Sequence, residues 1–345
     1  HPYLLGDTAL RVAAKRDLPL VFTHHTMYEQ YTHYVPADSS GLKRFVVELA
    51  TGYANLSDHV IAPSESVADV LRERGVQTTI SVVPTGVETD RFARGDGGRI
   101  RDRFEIPDNV PLIGHVGRLA REKNLIFLAH AVAEVLQQKR ESHFLIVGGG
   151  PADYTAELRA IFREAGVGER SHFAGVQEHQ DLIDCYHAMN VFAFASKSET
   201  QGMVLAEAMA AGVPVVALDA PGAREILDDK RNGRLVREEK KETFVRALCE
   251  IIADEGADAA AYTEACKRTG ERFSTENSVR KTLGIYQELK NKQPNPRRLQ
   301  RNSWEKLLQT LEREWRLWNN RILATMKAFS ESEHEEEPQQ EGKQT

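Results

Sequence analysis

The sequence is short of several things, and each shortage excludes something. Its three cysteines, Cys185, Cys249 and Cys266, are odd in number and widely spaced. They form neither a CxxC pair nor a disulfide framework, so a reducing cytoplasm is the expected compartment. No apolar run approaches the roughly 18 to 20 residues that cross a bilayer. Positive charge is not in excess: 45 Lys+Arg face 51 Asp+Glu, and the formal charge of −6 leaves no global footprint for nucleic acid. The sequence opens on His1 and not on Met, without a signal-peptide pattern, which raises the expectation of a fragment or shortened gene product.

What is present is a 41% apolar fraction over 345 residues, enough for about two domains with real cores. Short apolar runs at Leu18–Thr23, His59–Ala62, Ile80–Val83, Leu112–Val116, Phe144–Val147, Val191–Ala195 and Val213–Leu218 read as strands. Amphipathic stretches at 64–74, 124–139, 152–165, 179–188 and 202–211 alternate with them, and 240–254, 257–272 and 275–290 read as helices in succession. This alternation predicts an α/β fold of two doubly wound parallel-sheet, Rossmann-like domains. The polar, glycine-rich stretch 88–108 reads as the linker between them. Residues 1–87 supply about three convincing strands where a doubly wound unit has five or six, so the first domain is expected to be incomplete.

Three segments of the second half carry chemistry. GHVGRLAREKN (114–124) leaves a strand at Gly117 and presents Arg118 and Lys123, where a guanidinium fork and an ammonium suit a diphosphate. FLIVGGGP (144–151) runs a strand into a tight turn that admits close approach, with Pro151 suited to a helix start. FASKSETQGMVLAEAMAAGVPVVA (194–217) runs strand, polar loop, then a helix opening near Gly202. The free amides of Gly202, Met203 and Val204 favour an anion, while Glu199 and Glu207 can accept hydrogen bonds from sugar hydroxyls. Read singly, the same residues also suit solvated loop cations, a helix-face carboxylate and a partner for the helix dipole.

Taken together, the E-x7-E spacing of Glu199 and Glu207, GRLAREKN upstream and FAGVQEHQDLIDCYHAMNVF between them resemble retaining glycosyltransferase family four, of GT-B architecture. The resemblance spans about residues 1–290; PTGVETDRF (84–92) is similar to the stretch before that family's domain crossover. It implies a UDP- or other nucleotide-diphosphate sugar as donor substrate and no cofactor. Arg118 and Lys123 would hold the diphosphate, Glu199 the sugar hydroxyls and Glu207 the ribose, with the Gly202–Val204 amides on sugar and phosphate and the backbone near Val176 at the base. Glu199, Lys123 and Arg118 are the expected catalytic residues. No DxD-type motif sits in a suitable loop, so no metal is expected and the two cations offset leaving-group charge. The resemblance implies retention by front-face attack, not a double displacement through paired carboxylates.

HPYLLG (1–6) and VFTHHTMYEQYTHYVP (21–36) resemble acceptor-side segments of members that glycosylate diacylglycerol, which makes His25, Thr26 and Tyr28 acceptor-side candidates. The family's opening strand, glycine-rich turn and first helix would precede His1. The expected organisation is an acceptor-side domain over 1–95, a nucleotide-sugar domain over 96–272, a crossover helix at 273–291 packing back on the first domain, a basic amphipathic helix at 292–329 and a disordered acidic tail at 330–345.

In 291–329, nine basic side chains outnumber three acidic ones, and Trp304, Leu308, Leu311, Trp315, Trp318, Ile322 and Phe329 share one helical seam. With Arg297, Arg298 and Arg301 before it, 297–329 suits an anionic membrane face, the chain then sitting peripherally on the inner surface, or docking on the body or a second copy. The leading expectation is hexose transfer to a membrane lipid such as diacylglycerol. The alternatives are a soluble acceptor, or an inactive nucleotide-sugar-binding protein.

Overall fold

A computed structural model of the chain describes residues 5–27, 29, 40–197, 199–253 and 257–291. They belong to the compact unit His1–Gln293. The basic helix and acidic tail expected for 292–345 lie outside the described residues.

The first part of the chain forms α1 (Leu5–Arg16), β1 (Val21–Thr23), α2 (Ser40–Leu56), β2 (His59–Ala62), α3 (Glu65–Glu73) and β3 (Ile80–Val82). The three strands make one parallel sheet in the order β1-β2-β3, packed on Phe22, Tyr53, Val60, Val67 and Leu71. Two short helices follow, α4 (Thr89–Phe92) and α5 (Gly97–Arg103). The second part continues with β4 (Leu112–Val116), α6 (Leu125–Gln138), β5 (His143–Val147), α7 (Ala152–Glu164), β6 (Ser171–Gly175), α8 (His179–Ala188) and β7 (Val191–Phe194). It ends with α9 (Met203–Ala210), β8 (Val215–Leu218), α10 (Ala223–Ile226), β9 (Gly233–Val236), α11 (Lys241–Ala253), α12 (Ala257–Arg272) and α13 (Thr275–Lys290).

The larger sheet is wholly parallel, in the order β6-β5-β4-β7-β8-β9. Its four inner strands are apolar on both sides because both faces are covered. Leu112, Leu145, Phe192, Phe194 and Val215 enter one core, with Tyr186 of α8 and Leu205 and Met209 of α9. Ile113, Phe144, Ile146, Val191 and Val216 enter the other, with residues of α6, α7 and α11. The chain winds outward from β4 and begins again at β7, so those neighbours flank the topological switch point, where the loops at their carboxyl ends part and leave a crevice.

Sequence and structure differ where polarity misleads. The stretch 88–108 lies between the last strand of the first sheet and the first strand of the second, and within it the chain forms α4 and α5. Asp96 caps α5, Ile100 and Ile106 are buried, and Arg99 pairs with Asp184 of α8. Strands β6 and β9 carry no long apolar run because they lie at the two edges of the sheet and are only partly covered. The two passes of the chain between sheets lie side by side: the Val87 amide donates to Phe273 O and the Thr275 amide to Val87 O, each at 2.9 Å. Beyond them α13 leaves Val279, Leu283 and Tyr286 about half exposed.

Candidate functional site

The loops leaving β4 and β7 meet across the switch point. Lys123 ends a single 3-10 turn that closes on Asn124 in the left-handed region, φ 55°. Its ammonium lies 2.5 Å from Glu199 Oε1, and the two side chains are 18% and 16% exposed. Asn124 donates to Ala195 O at 3.3 Å and to Glu239 Oε1 at 2.6 Å, and Glu239 also accepts from Lys197. The Lys197 hydrogen bond holds the Glu239 carboxyl below its ordinary range. One carboxylate from the β9–α11 connection thus ties together the loops that present Lys123 and Glu199.

Lys123 and Glu199 line a cavity of about 260 Å³, together with Gly117, Arg118, Gly202, Met203 and Val204, and with His25 and Thr85 from the first part of the chain. Gly202 is left-handed, φ 74°, and no side chain caps α9. The first-turn amides of α9 therefore meet the cavity beside the ammonium, a combination that suits a polyanion. Arg118 is exposed at the rim and pairs with Glu122 at 3.0 Å. Among the described residues, no group of three or more His, Cys, Asp or Glu is placed to hold a metal ion.

Other candidates stand apart from the cavity. Glu207 accepts from the Tyr186 hydroxyl at 2.7 Å; burial raises its pKa and the tyrosine bond partly offsets this. Val176 is 65% exposed beside Gly149. Thr26 is half-buried next to His25, whose Nδ1 lies 3.4 Å from Thr85 Oγ1. Tyr28 lies outside the described residues.

The sequence gives no sign of a clasp that joins the two sheets' loops at the cavity. Gln201, 5% exposed, accepts from the Thr85 amide at 2.7 Å and donates to Thr85 O at 2.9 Å. Ser64, the N-cap of α3, donates to Thr200 O at 2.6 Å. Glu225 of α10 accepts from the Glu65 and Ser66 amides at 2.8 Å each, so its carboxylate caps a helix of the other sheet.

Three histidines titrate low, two of them buried, His24 and His115, and one half-buried, His172. Burial pushes His24, His115 and His172 down to about 4, assisted at His24 by Arg74 and at His172 by stacked His143. The unfolded chain takes up these protons near 6.5 while the folded one does not, so stability is full above that pH and declines as pH falls from about 6.5 toward 4. For fully buried His115 the loss approaches ~3 kcal/mol at pH 4. Thermal unfolding followed from pH 7.5 down to 4.5 is expected to show Tm dropping by several degrees; a flat profile contradicts it.

Two parallel sheets, the larger one doubly wound with a cation and a helix start at its switch point, define the class: an α/β protein of GT-B type. Solved structures agree on that fold. HepE of Anabaena in complex with UDP matches with a TM-score of 0.71 at 22% identity, covering 82% of this chain and 76% of that one. Sucrose-phosphate synthase of Thermosynechococcus elongatus matches with 0.68 at 24% identity, covering 82% and 71%.

The family is set by sequence. Residues 1–91 match the pattern described as Glycosyltransferase Family 4, and residues 110–254 that described as Glycosyl transferases group 1. The chain is 30% identical over 306 residues to a D-inositol 3-phosphate glycosyltransferase of Xylanimonas cellulosilytica, covering 85% of this chain and 72% of that protein. It is 30% identical over 238 residues to an alpha-monoglucosyldiacylglycerol synthase of Streptococcus pneumoniae, covering 68% of this chain and 54% of that protein's length. The chain belongs to glycosyltransferase family 4.

Proposed function

We propose that the protein transfers a hexose from a nucleoside-diphosphate sugar to an acceptor hydroxyl with retention of configuration, using no metal or other cofactor. The observation that carries this is the Lys123–Glu199 pair set beside the uncapped start of α9 in one cavity. Lys123 and Arg118 take the diphosphate, and the first-turn amides of α9 meet the same charge. Lys123 exchanges its carboxylate partner for a diphosphate oxygen, and Glu199 is freed to accept from sugar hydroxyls. Glu207, oriented by Tyr186, serves the ribose, and the backbone near Val176 serves the base. The bond from the anomeric carbon to the diphosphate breaks as the acceptor oxygen bonds on the same face, and the departing diphosphate takes the acceptor's proton. His25, with Thr26 and Tyr28, borders the acceptor.

The leading acceptor is a membrane lipid such as diacylglycerol, supported by the Streptococcus pneumoniae relative. The chain then works at the inner face of the membrane, held by 297–329, which also offers a route to self-association; no described helix is itself long and apolar enough to cross a membrane. A soluble acceptor is the second reading, favoured by the greater coverage of the inositol phosphate relative.

The test pairs thermal stabilisation by UDP-sugars with transfer of labelled hexose to diacylglycerol vesicles or to water-soluble polyols. The expected result is stabilisation by a UDP-sugar and label in the organic extract. Label in a soluble product selects the second reading. Stabilisation without transfer to either acceptor points to a nucleotide-sugar-binding protein, and no stabilisation by any nucleotide sugar overturns the proposal.

A further inference from the structure

His115 is the fourth residue of β4, 1% exposed, with its ring close to Phe192 and Phe194 at centroid distances of 6.0 and 6.3 Å. Its Nδ1 lies 3.0 Å from the Ala193 carbonyl oxygen. A carbonyl oxygen only accepts, so Nδ1 carries the hydrogen and Nε2 is left with a lone pair. Among the described residues nothing pairs with Nε2. Burial pushes the ring's pKa down to about 4, so it stays neutral and Nε2 stays an acceptor at ordinary pH.

The space that Nε2 faces is defined by a missing side chain. A Cβ built on Gly117 would meet Nε2 at 3.4 Å and Cε1 at 3.9 Å, and no other non-adjacent residue within 4 Å. Gly117 therefore leaves an atom-sized niche with an imidazole lone pair at its floor, and both residues line the cavity that holds Lys123 and Glu199. A buried acceptor without a donor is costly, and a ligand that brings one is preferred over a ligand that does not. Ionised diphosphate oxygens carry no hydrogen and are repelled there. Of the parts of a nucleoside-diphosphate sugar, the hydroxyls fit. The transferred sugar is favoured over the ribose because Glu199 shares this cavity, whereas Glu207 is turned to Tyr186 outside it.

We propose that His115 is a specificity-determining residue whose Nε2 accepts a hydrogen bond from one hydroxyl of the transferred sugar, reached through the gap at Gly117. The assignment rests on the reading of this cavity as the donor site. It gives the enzyme a neutral contact that tests the sugar's hydroxyl pattern apart from the charged grip on the diphosphate.

The experiment uses the full chain with UDP and UDP-glucose as probes in calorimetric titration. His115→Asn keeps a donor for Ala193 O and deletes the Nε2 end; His115→Gln places an amide near the Nε2 position. His115→Asn is expected to bind UDP within about twofold of the parent and UDP-glucose about tenfold more weakly, with His115→Gln recovering most of the difference. On the unmutated chain, one monodeoxy analogue of UDP-glucose is expected to lose the same factor, a result that needs no variant to fold. Equal loss of UDP and UDP-glucose in His115→Asn assigns the bond to the ribose or to packing and overturns the proposal. So does undiminished UDP-glucose affinity in that variant. An unmutated chain that binds neither probe overturns the donor-site reading and this assignment with it.

Discussion

Lys123→Ala and Glu199→Ala are each expected to lower transfer by about 10²- to 10³-fold, the scale of removing one preorganised electrostatic contact to developing charge. The two should fail differently. Lys123 faces the phosphates in the proposed mechanism, so its loss weakens UDP and UDP-sugar alike. Glu199 faces sugar hydroxyls, so its loss spares UDP affinity and removes the contribution of the sugar. Stability supplies a second readout. Each side chain is less than one-fifth exposed in the unliganded pair, so either single substitution leaves a partly buried charge without its partner and lowers Tm. The double substitution removes both charges and is expected to cost less than the sum of the singles, a coupling that a double-mutant cycle measures directly. Near-normal turnover in either single variant, with the chain folded, removes the pair from the site.

In the second half of the chain the loops that line the cavity were legible because each follows an apolar run. Gly117, Arg118, Lys123, Glu199 and Gly202 follow the ends of two apolar runs, and the doubly wound order brings those ends together. What stayed hidden depends on who meets whom. Arg101 sits in the polar stretch that reads as a linker, yet it is 8% exposed and donates to the carbonyls of Ala188, Pro107 and Val110. His115 lies inside an apolar run, and its orphan nitrogen becomes visible only when the ring's neighbours are known. Gln201 and Glu225 look like ordinary surface polars, but each completes backbone groups of the other sheet, more than 110 residues away in sequence. Periodicity reports which way a side chain faces, and it is silent about which backbone group waits there.

Gly148→Ala is expected to damage the site from beneath while touching no ligand. Gly148 ends the β5 run with φ 141°, and a Cβ there would stand 1.8 Å from Gly117 O. The adjoining backbones are bonded together, Gly117 N to Val147 O at 2.9 Å and Leu119 N to Gly149 O at 2.8 Å. The methyl group therefore has to displace the loop that presents Arg118 and Lys123. A misplacement of about 1 Å in groups that position a substrate can cost ~10²-fold in rate. The strained backbone and the clash together are expected to cost about 2–4 kcal/mol of stability. Gly166→Ala separates the two causes: Gly166 is also left-handed, φ 71°, but a Cβ there meets nothing within 4 Å. That variant should lose about 1 kcal/mol for its conformation alone and keep full transfer. Thermal unfolding and UDP-sugar titration of both variants give the comparison. If Gly148→Ala binds the donor as well as Gly166→Ala does, the close approach of the β4 and β5 loops is a feature of packing and does not set the position of Lys123.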